Sequence, residues 1–573
     1  MADPTRAAVP SRGRRRVLAA LTVLLPFLLL AVLEAGLRLS GFGKTYPLFV
    51  PVEGAPGFLR TNREVVRRFL VDERDAPNLW IRPVYFRHEK SPATFRIFVQ
   101  GESTTEGYPY GFGASVAGML QQRLQRTFPE RKIEVITTAM SAVNTYTLLD
   151  FSGEILEQHP DAVVIYVGHN EYVGLLGVAS GFSVGRYRPI VLAHLGLKNM
   201  RLLQWARHLW LASRPPRPRS QDRTLMATIV AEQRIPYGSP LYRRGLEQYR
   251  ANLRALLRRY AQAGVPVFIA TVVSNERDQP PFISGHGPGG GGAAWSTHFA
   301  AGQRALRAGK ARPALRELDA AVALDDRFAL GHFARGQALE RLGRYGEARA
   351  AYLAAKDRDE LRFRAPEEIN GILREVAEEQ GAHVVEVREA FHRAARNGII
   401  GSDLMLEHVH PNLKGYFILA DAFYDAFRAH GMIGRWDGRV SREQAWREIP
   451  VTEVDRLYGE WRARYLTSDW PFKPEKEPFQ IPWPANRVEE IAESYYHGSY
   501  EWPYAMRQLL DHYRSAGDKT EAARVAVLLA EAFPNRAEDQ RAAAEALRAA
   551  GRSDAVVYQR RALARFPRPR KRL

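Results

Sequence analysis

Cysteine is missing from all 573 residues of the chain. Its absence excludes disulfides, thiolate metal sites, lipid-modified cysteines and cysteine catalysis. A zinc site is poorly supported, because His408 and His410 stand together without the further ligands that zinc requires. Acidic residues are too few to balance the basic ones, and the formal charge of +19 suits an anionic partner such as a membrane surface, an acidic glycan or nucleic acid. Since no recognised nucleic-acid-binding motif accompanies this charge, nucleic acid is discounted.

One apolar run near the N-terminus is long enough to cross a bilayer. Val17 to Leu33 carries no charge over 17 residues and follows four nearby arginines, which are expected to stay cytoplasmic. The rival interpretation is a cleaved signal peptide. The run is longer than an ordinary signal core, however, and its end lacks a small-x-small cleavage site. We therefore predict a retained single-pass anchor through residues 17–39, with the rest of the chain after about Gly41 in the periplasm or outside the cell.

Three polar motifs each lie beyond or beside a short apolar run that predicts a buried strand. The runs are Phe95–Val99, Ala162–Val167 and His383–Val387, and the motifs are Gly101–Ser103, Gly168–Glu171 and Glu407–Asn412. A serine on a tight turn after a buried strand presents its hydroxyl at the carboxyl edge of a parallel sheet, where open α/β folds bind ligands. Ser103 is therefore a candidate nucleophile.

A serine becomes a nucleophile only when a base takes its proton, and His410 is the best placed candidate for that base. The histidine needs an acceptor that orients it, which Glu407 could supply from three residues upstream. The oxyanion that develops during attack needs donors already aimed at it. The side-chain amide of Asn170, with backbone N–H groups near Ser103 and Ala139, would serve.

At these motifs the chain resembles the SGNH, or GDSL-type, hydrolase family. The resemblance covers about 95–282 and 362–430, and it implies a flavodoxin-like parallel-sheet fold and a serine hydrolase site. It makes Ser103 the nucleophile, His410 the base, Glu407 the acid and Asn170 an oxyanion donor. The chain departs from the family pattern in having Glu102 and Glu407 where aspartate is usual. It also has Ala139 at the expected place of a glycine N–H in the second block.

Several assignments stay open at this stage. His408 competes with His410 as the base, and Asp403 competes with Glu407 as the acid. Asn170 could cap a helix instead. Other polar residues are candidates for substrate binding. They include Glu102, two residues that rim the cleft, and three arginines that flank the insertion described next and could clamp an anionic substrate group: His169, Glu171, Arg277, Arg362 and Arg364.

A repeat interrupts the hydrolase-like sequence. Tyr242–Tyr260 has helical periodicity and Val265–Val273 predicts a strand, yet a glycine-rich tract follows in place of the next helix and strand. His298–Gly302 then recurs 34 residues later as His332–Gly336, a period that resembles tetratricopeptide repeats. A fainter repeat of the same period lies near the C-terminus. Two repeats leave an apolar face uncovered, so the inserted pair is expected to pack on the hydrolase domain or on a protein partner.

The predicted fold class is thus α/β: a parallel-sheet domain interrupted by helical repeats, with C-terminal helical repeats and an N-terminal transmembrane helix. Within it, Leu195–Leu211 predicts an amphipathic helix that packs, acts as a lid or lies on the membrane. The predicted segments are 1–40, tip and anchor; 41–94, extension; 95–293 and 362–432, hydrolase domain; 294–361, inserted repeats; 433–490, an extended Trp- and Pro-rich connector; and 491–573, C-terminal repeats with a basic tail.

These features predict an extracytoplasmic serine esterase that acts on short acyl esters, and envelope polysaccharides are the preferred substrate class. No cofactor and no metal is required by this chemistry. Two alternatives remain at this point. The same site could transfer the acyl group to a sugar hydroxyl, or the domain could be an inactive scaffold whose repeats bind a protein.

Overall fold

The computed structural model describes residues 12–73, 79–182, 186–213, 224–285 and 292–563. The basic tail predicted at the C-terminus, and most of the glycine-rich tract before the insertion, lie outside these residues. A long helix, α1 (Arg12–Leu39), begins the described chain. Its segment Ala19–Leu39 is long and apolar enough to cross a membrane and has no contacts that bury it. The helix thus extends beyond the predicted run on both sides.

Two sheets follow. The first is small and antiparallel, with the order β1-β2-β3, and the second is entirely parallel, with the order β5-β4-β6-β7-β8. Their bounds are β1 (Phe49–Pro51), β2 (Phe58–Thr61), β3 (Tyr85–Arg87), β4 (Thr94–Gly101), β5 (Lys132–Thr137), β6 (Ala162–Tyr166), β7 (Val267–Ala270) and β8 (His383–Val385). All residues of β4 and β6 are buried, as the uninterrupted apolar runs of a parallel sheet require. The edge strand β5 was not predicted.

Helices cover both faces of the parallel sheet. Those before the insertion are α2 (Ser103–Glu106), α3 (Val116–Thr127), α4 (Thr145–Leu156), α5 (Arg188–Leu197), α6 (Arg201–Ala212), α7 (Leu225–Ile229) and α8 (Pro240–Gln262). The single helix expected over Leu195–Leu211 is therefore two helices with a break between them. The start of α6 is fixed by the anchor, because the carboxylate of Glu34 accepts the backbone N–H groups of Arg201 at 3.0 Å and Leu202 at 2.7 Å.

The insertion is built from two helix pairs. They are α9 (Gly292–Arg307) with α10 (Ala311–Leu324), and α11 (Ala329–Arg341) with α12 (Tyr345–Arg358). The recurring glycines explain the sequence repeat, since a Cβ on Gly302 would lie 2.6 Å from Leu318, and one on Gly336 would lie 2.8 Å from Tyr352. Each pair therefore needs glycine where its helices approach most closely.

After the insertion the chain completes the parallel sheet and then adds a helical C-terminal part. The helices are α13 (Glu367–Gln380), α14 (Val387–Ala394), α15 (Leu413–Ala429), α16 (Arg442–Arg447), α17 (Glu453–Thr467), α18 (Arg487–Tyr496), α19 (Trp502–Ser515), α20 (Lys519–Ala532), α21 (Ala537–Ala549) and α22 (Ala555–Leu563). The α/β fold with a helical insertion and a helical C-terminal part is as predicted. The expectation of an extended connector over 433–490 is wrong for its first half, where α16 and α17 form.

The C-terminal helices share a core with the sheet domain. Phe112, just before α3, is buried together with Val454 and Trp461 of α17 and with the apolar faces of α18 to α22. At the N-terminus of α17, Thr452 and Asp455 cap each other's backbone, which fixes where the helix begins. The packing places α17 beside the carboxyl edge of the parallel sheet.

Candidate active site

Ser103 lies on the tight turn that ends the central strand β4. Gly101 makes the turn possible, because a Cβ at this position would meet the Thr105 hydroxyl at 2.0 Å and the Tyr166 carbonyl at 2.3 Å. The Thr105 hydroxyl donates to that same carbonyl at 2.7 Å and so ties the turn to the neighbouring strand. Ser103 is the first residue of α2 and faces a cavity at the carboxyl edge of the sheet.

The second and third catalytic candidates meet Ser103 in line. Nε2 of His410 lies 2.8 Å from the Ser103 hydroxyl oxygen, and Nδ1 of His410 contacts Oε1 of Glu407. The same carboxylate oxygen accepts the backbone N–H of His410 at 3.1 Å. Glu407 is buried, and although burial opposes its charge, His408 and His410 hold its pKa well below the usual range. The carboxylate is therefore ionised where it meets the imidazole.

The two residues that competed for these places lie elsewhere. His408 contacts the other oxygen of Glu407, on the side away from Ser103. Asp403 binds Arg277 at 3.0 Å and the backbone N–H of Arg396 at 2.9 Å. Of the four candidates, only His410 and Glu407 complete a chain to the serine.

Glu102 supports the loop that carries Asn170. Its carboxylate accepts the backbone N–H groups of Gly168, His169 and Asn170 at 3.0, 3.2 and 3.1 Å. It was predicted to bind substrate, but it is buried beneath the loop and does not line the cavity. Burial, followed by the charge of Glu171, raises the pKa of Glu102 to about 8 even though three N–H donors oppose the shift. Glu102 is thus a positioning residue for the segment that borders Ser103.

The second-block donor was misplaced by the sequence analysis. The N–H of Ala139 is already donated to the Thr137 hydroxyl at 3.1 Å, and Ala139 does not line the cavity. Ala142 does line it and has a φ of 60°, a conformation that favours glycine. Within the described chain its N–H has no hydrogen-bond partner. The glycine-like position of the second block is therefore Ala142, and the signal that could have found it is the helix cap Asn144 two residues later.

The remaining predicted residues divide between the cavity wall and the interior. His169 lines the cavity, and burial lowers its pKa to about 3. Glu171 is buried away from the cavity, where it accepts the N–H and hydroxyl of Thr145 at 2.9 and 2.8 Å. Burial raises the pKa of Glu171 to about 7.

The three arginines expected to clamp substrate stabilise the junction with the insertion instead. Arg364 pairs with Asp359 at 3.0 Å, and both side chains are at most 3% exposed. Arg362 donates to the carbonyl of Ile235 at 2.9 and 2.7 Å. Arg277 is bound by acidic neighbours that include Asp403. The predicted role of these arginines in binding substrate is thus wrong, because their donors are used within the fold.

The cavity at Ser103 has a volume of about 270 Å³. Sequence reasoning missed several residues of its wall, because they come from segments with no family motif. The apolar part includes Val173, Leu225, Met226, Ile229, Phe363 and Leu466, and the polar part includes Arg82, Glu106, Tyr458, Arg462 and Tyr465. Tyr108 packs its ring on His410 with 4.7 Å between centroids. Among the described residues, no group of three or more His, Asp or Glu side chains is placed to hold a metal.

No protein-family model and no curated protein matches the chain. Solved structures similar to it include an acetyl xylan esterase, at 12% identity and a TM-score of 0.28 over 58% of this chain and 99% of that one. A GDSL-like lipase from Bacteroides thetaiotaomicron has 11% identity, a TM-score of 0.27 and coverage of 60% and 93%. A lipase/acylhydrolase from Enterococcus faecalis has 14% identity, a TM-score of 0.26 and coverage of 59% and 96%. The chemistry of the site is argued below from its own atoms.

Proposed function

We propose that the protein is a membrane-anchored serine esterase of SGNH type. The observation that carries this proposal is the contact of His410 with Ser103 at 2.8 Å, combined with the contact of Glu407 on the opposite ring nitrogen. A serine, a histidine and a carboxylate in this order form an activated nucleophile. The convergence of the three in one cavity favours an enzyme over an inactive scaffold.

The reaction begins when the Ser103 oxygen attacks the ester carbonyl carbon and His410 takes the hydroxyl proton at Nε2. Glu407 orients the imidazole and stabilises its positive charge. The negative charge moves to the carbonyl oxygen, which the N–H groups of Ser103 and Ala142 and the amide of Asn170 stabilise. His410 then protonates the leaving alcohol and the acyl-enzyme forms. Water, deprotonated by His410, attacks the acyl-enzyme and releases the acid.

The size of the cavity supports a short acyl group. A volume of about 270 Å³ lies at the lower limit of the sizes usual for ligand sites. The acyl chain is expected against the apolar wall that includes Leu225 and Met226. The anchor and the net positive charge would hold the enzyme near acylated polysaccharides of the cell envelope, with the N-terminus in the cytoplasm and the active site outside it.

Helix α6 is expected to lie at the membrane surface. Its start is capped by Glu34 of the anchor, and it exposes large apolar side chains: Leu203, Trp205, Leu209 and Trp210. Tryptophans adjoining a transmembrane helix are typical of the lipid headgroup region. Brominated lipids in reconstituted vesicles should quench less fluorescence in the W205Q/W210Q variant than in the wild type. Trp483, which is 91% exposed on the C-terminal part, is the control, and W483Q should leave the quenched fraction unchanged.

Acyl transfer is a second candidate, favoured by a larger cavity that adjoins the first and could hold an acceptor sugar. The two activities share the acyl-enzyme and differ in whether water or a hydroxyl accepts the acyl group. Incubation with an acyl donor and an acceptor oligosaccharide separates them, because only a transferase yields an acylated oligosaccharide.

Labelling with a fluorophosphonate probe tests the proposal directly. The detergent-solubilised full chain is compared as wild type, Ser103→Ala and His410→Ala. The wild type should be labelled and both variants should not, since the serine is absent in one and not activated in the other. A folded wild-type protein that is not labelled would overturn the proposed enzyme.

A further inference from the structure

Two cavities meet beside the candidate active site. The larger one, about 920 Å³, lies between the segment that carries β3, the edge strand β5 and the C-terminal helices. Trp80, Arg82 and Tyr458 line both cavities. The larger cavity falls within the range of ligand sites, whereas the smaller one holds little more than the reacting group. A substrate with a long body could therefore occupy the large cavity while its ester lies at Ser103.

Two arginines on the wall of the small cavity make no ion pair with any described residue. Arg82 stands at the junction, and its Nε is buried with no hydrogen-bond partner. Arg462 lies on α17 beside the phenol of Tyr108. They differ from Arg277, Arg362 and Arg364, whose donors are all taken up by the fold. A partly buried cation without a partner is costly, and an anionic ligand would remove that cost.

The large cavity is lined by aromatic rings. Trp80 is 39% exposed, and Arg63 lies over its face at 4.6 Å. Tyr458 stacks on Tyr495 at 4.2 Å, and further rings come from Tyr85, Trp502 and Phe533. Flat apolar faces with a few polar groups between them suit the ring faces of sugars.

The carboxylates of this cavity do not cancel its unpaired arginines. Glu134 is paired with Arg96 at 2.9 Å, and Glu531 with Arg561 at 2.7 Å. Glu89 and Glu501 are exposed, where water and salt screen them. Arg82 and Arg462 are more buried than either, so the charge that a ligand meets at the junction is positive.

We propose that the large cavity binds the polymer chain of an anionic, O-acylated polysaccharide, with Arg82 and Arg462 binding its acidic groups next to the reacting ester. This inference rests on the proposed esterase function and names its substrate class. The acidic group is a carboxylate or a phosphate, because a guanidinium binds both through paired N–H donors. The repeat unit beside the esterified sugar would supply the anion.

Binding to the full-length Ser103→Ala protein tests the inference without turnover. Calorimetry would compare oligogalacturonate, the same oligomer as its neutral methyl ester, and a glycerol-phosphate oligomer. At least one anionic oligomer should bind about tenfold or more tightly than the neutral one, and the better of the two identifies the acidic group. Arg82→Gln or Arg462→Gln in this background should weaken anionic binding about tenfold, and Arg82→Lys should restore part of it.

Arg312→Gln is the matched control, because Arg312 is an exposed arginine on an inserted helix. It changes the net charge equally and should leave the affinity unchanged. Equal binding of charged and neutral oligomers would overturn the inference, as would full affinity in both arginine variants. If Arg82→Gln unfolds, the oligomer comparison and Arg462→Gln still decide the question. Fluorophosphonate labelling of the wild type is independent of this binding, so failure of the esterase proposal is seen separately.

Discussion

Two clusters of buried charge lie at the carboxyl side of the parallel sheet, and they differ in whether their partners are complete. At the junction with the insertion, Arg364, Asp359 and Arg362 bind one another or backbone groups, and no donor is directed into a cavity. At the active site, Ser103, Ala142 and Arg82 keep polar groups that the fold leaves without a partner. Buried charge with complete partners indicates structure, whereas incomplete partners on a cavity wall indicate a ligand.

The largest expected effect is at the open cluster. Ser103→Ala should lower kcat/KM for a small ester by about 10⁴-fold or more, because the nucleophile is removed while the surrounding contacts remain. The free energy of unfolding should change by less than about 1 kcal/mol, as is usual for a substitution that leaves no buried group unpaired. Ester hydrolysis and urea unfolding measure the two quantities. Activity that persists in Ser103→Ala would place the nucleophile elsewhere.

The closed cluster should show the opposite pattern. Arg364→Gln leaves the buried Asp359 without its cation and should lower the free energy of unfolding by about 3–5 kcal/mol. Arg374→Gln is the control, since its ion pair with Glu386 is exposed and should contribute only about 0–1 kcal/mol. Chemical denaturation measures both. If the two variants lose equal stability, the distinction between the clusters fails.

Asn170 sharpens the comparison within the open cluster. Asn170→Ala should lower kcat by about 10²–10³-fold, the usual effect of losing one oxyanion donor, with a smaller change in KM. Asn170→Asp preserves the size of the side chain but places a carboxylate beside the developing oxyanion, and it should be at least as inactive. A change in KM alone would instead assign Asn170 to ground-state binding.

Glu171 gives the smallest and most pH-dependent effect. Its carboxyl pKa is raised to about 7 in the folded state from an ordinary 4.5, so the folded protein binds the proton more tightly than the unfolded chain. The stability that this group contributes is complete below about pH 4.5 and is lost as the pH rises through 7, by about 3 kcal/mol at 1.36 kcal/mol per unit. Glu171→Gln should remove this part of the pH dependence. Parallel stability–pH curves for the two proteins would show that Glu171 does not titrate in this way.

The catalytic candidates could be predicted because each follows a strand and carries its own local pattern. Ser103, His410 and Glu407 were found this way, and so were β4, β6 and the repeat at Gly302 and Gly336. The cavity wall could not be predicted, because Arg82 and Arg462 come from segments without a motif and meet only through tertiary packing. Ala139 was chosen in place of Ala142 because a backbone dihedral angle is not visible in a sequence.

The insertion leaves and rejoins the sheet domain at one point. The N–H of Glu360 binds the carbonyl of Ile283 at 2.9 Å, and Asp359 accepts the N–H groups of Phe282 and Ile283 at 2.9 and 3.0 Å. Since the excursion spans almost no distance, the catalytic domain closes its own sheet whatever lies beyond this clasp. The helix pairs are therefore an exchangeable module, and related chains could lengthen, shorten or replace them without moving Ser103 relative to His410.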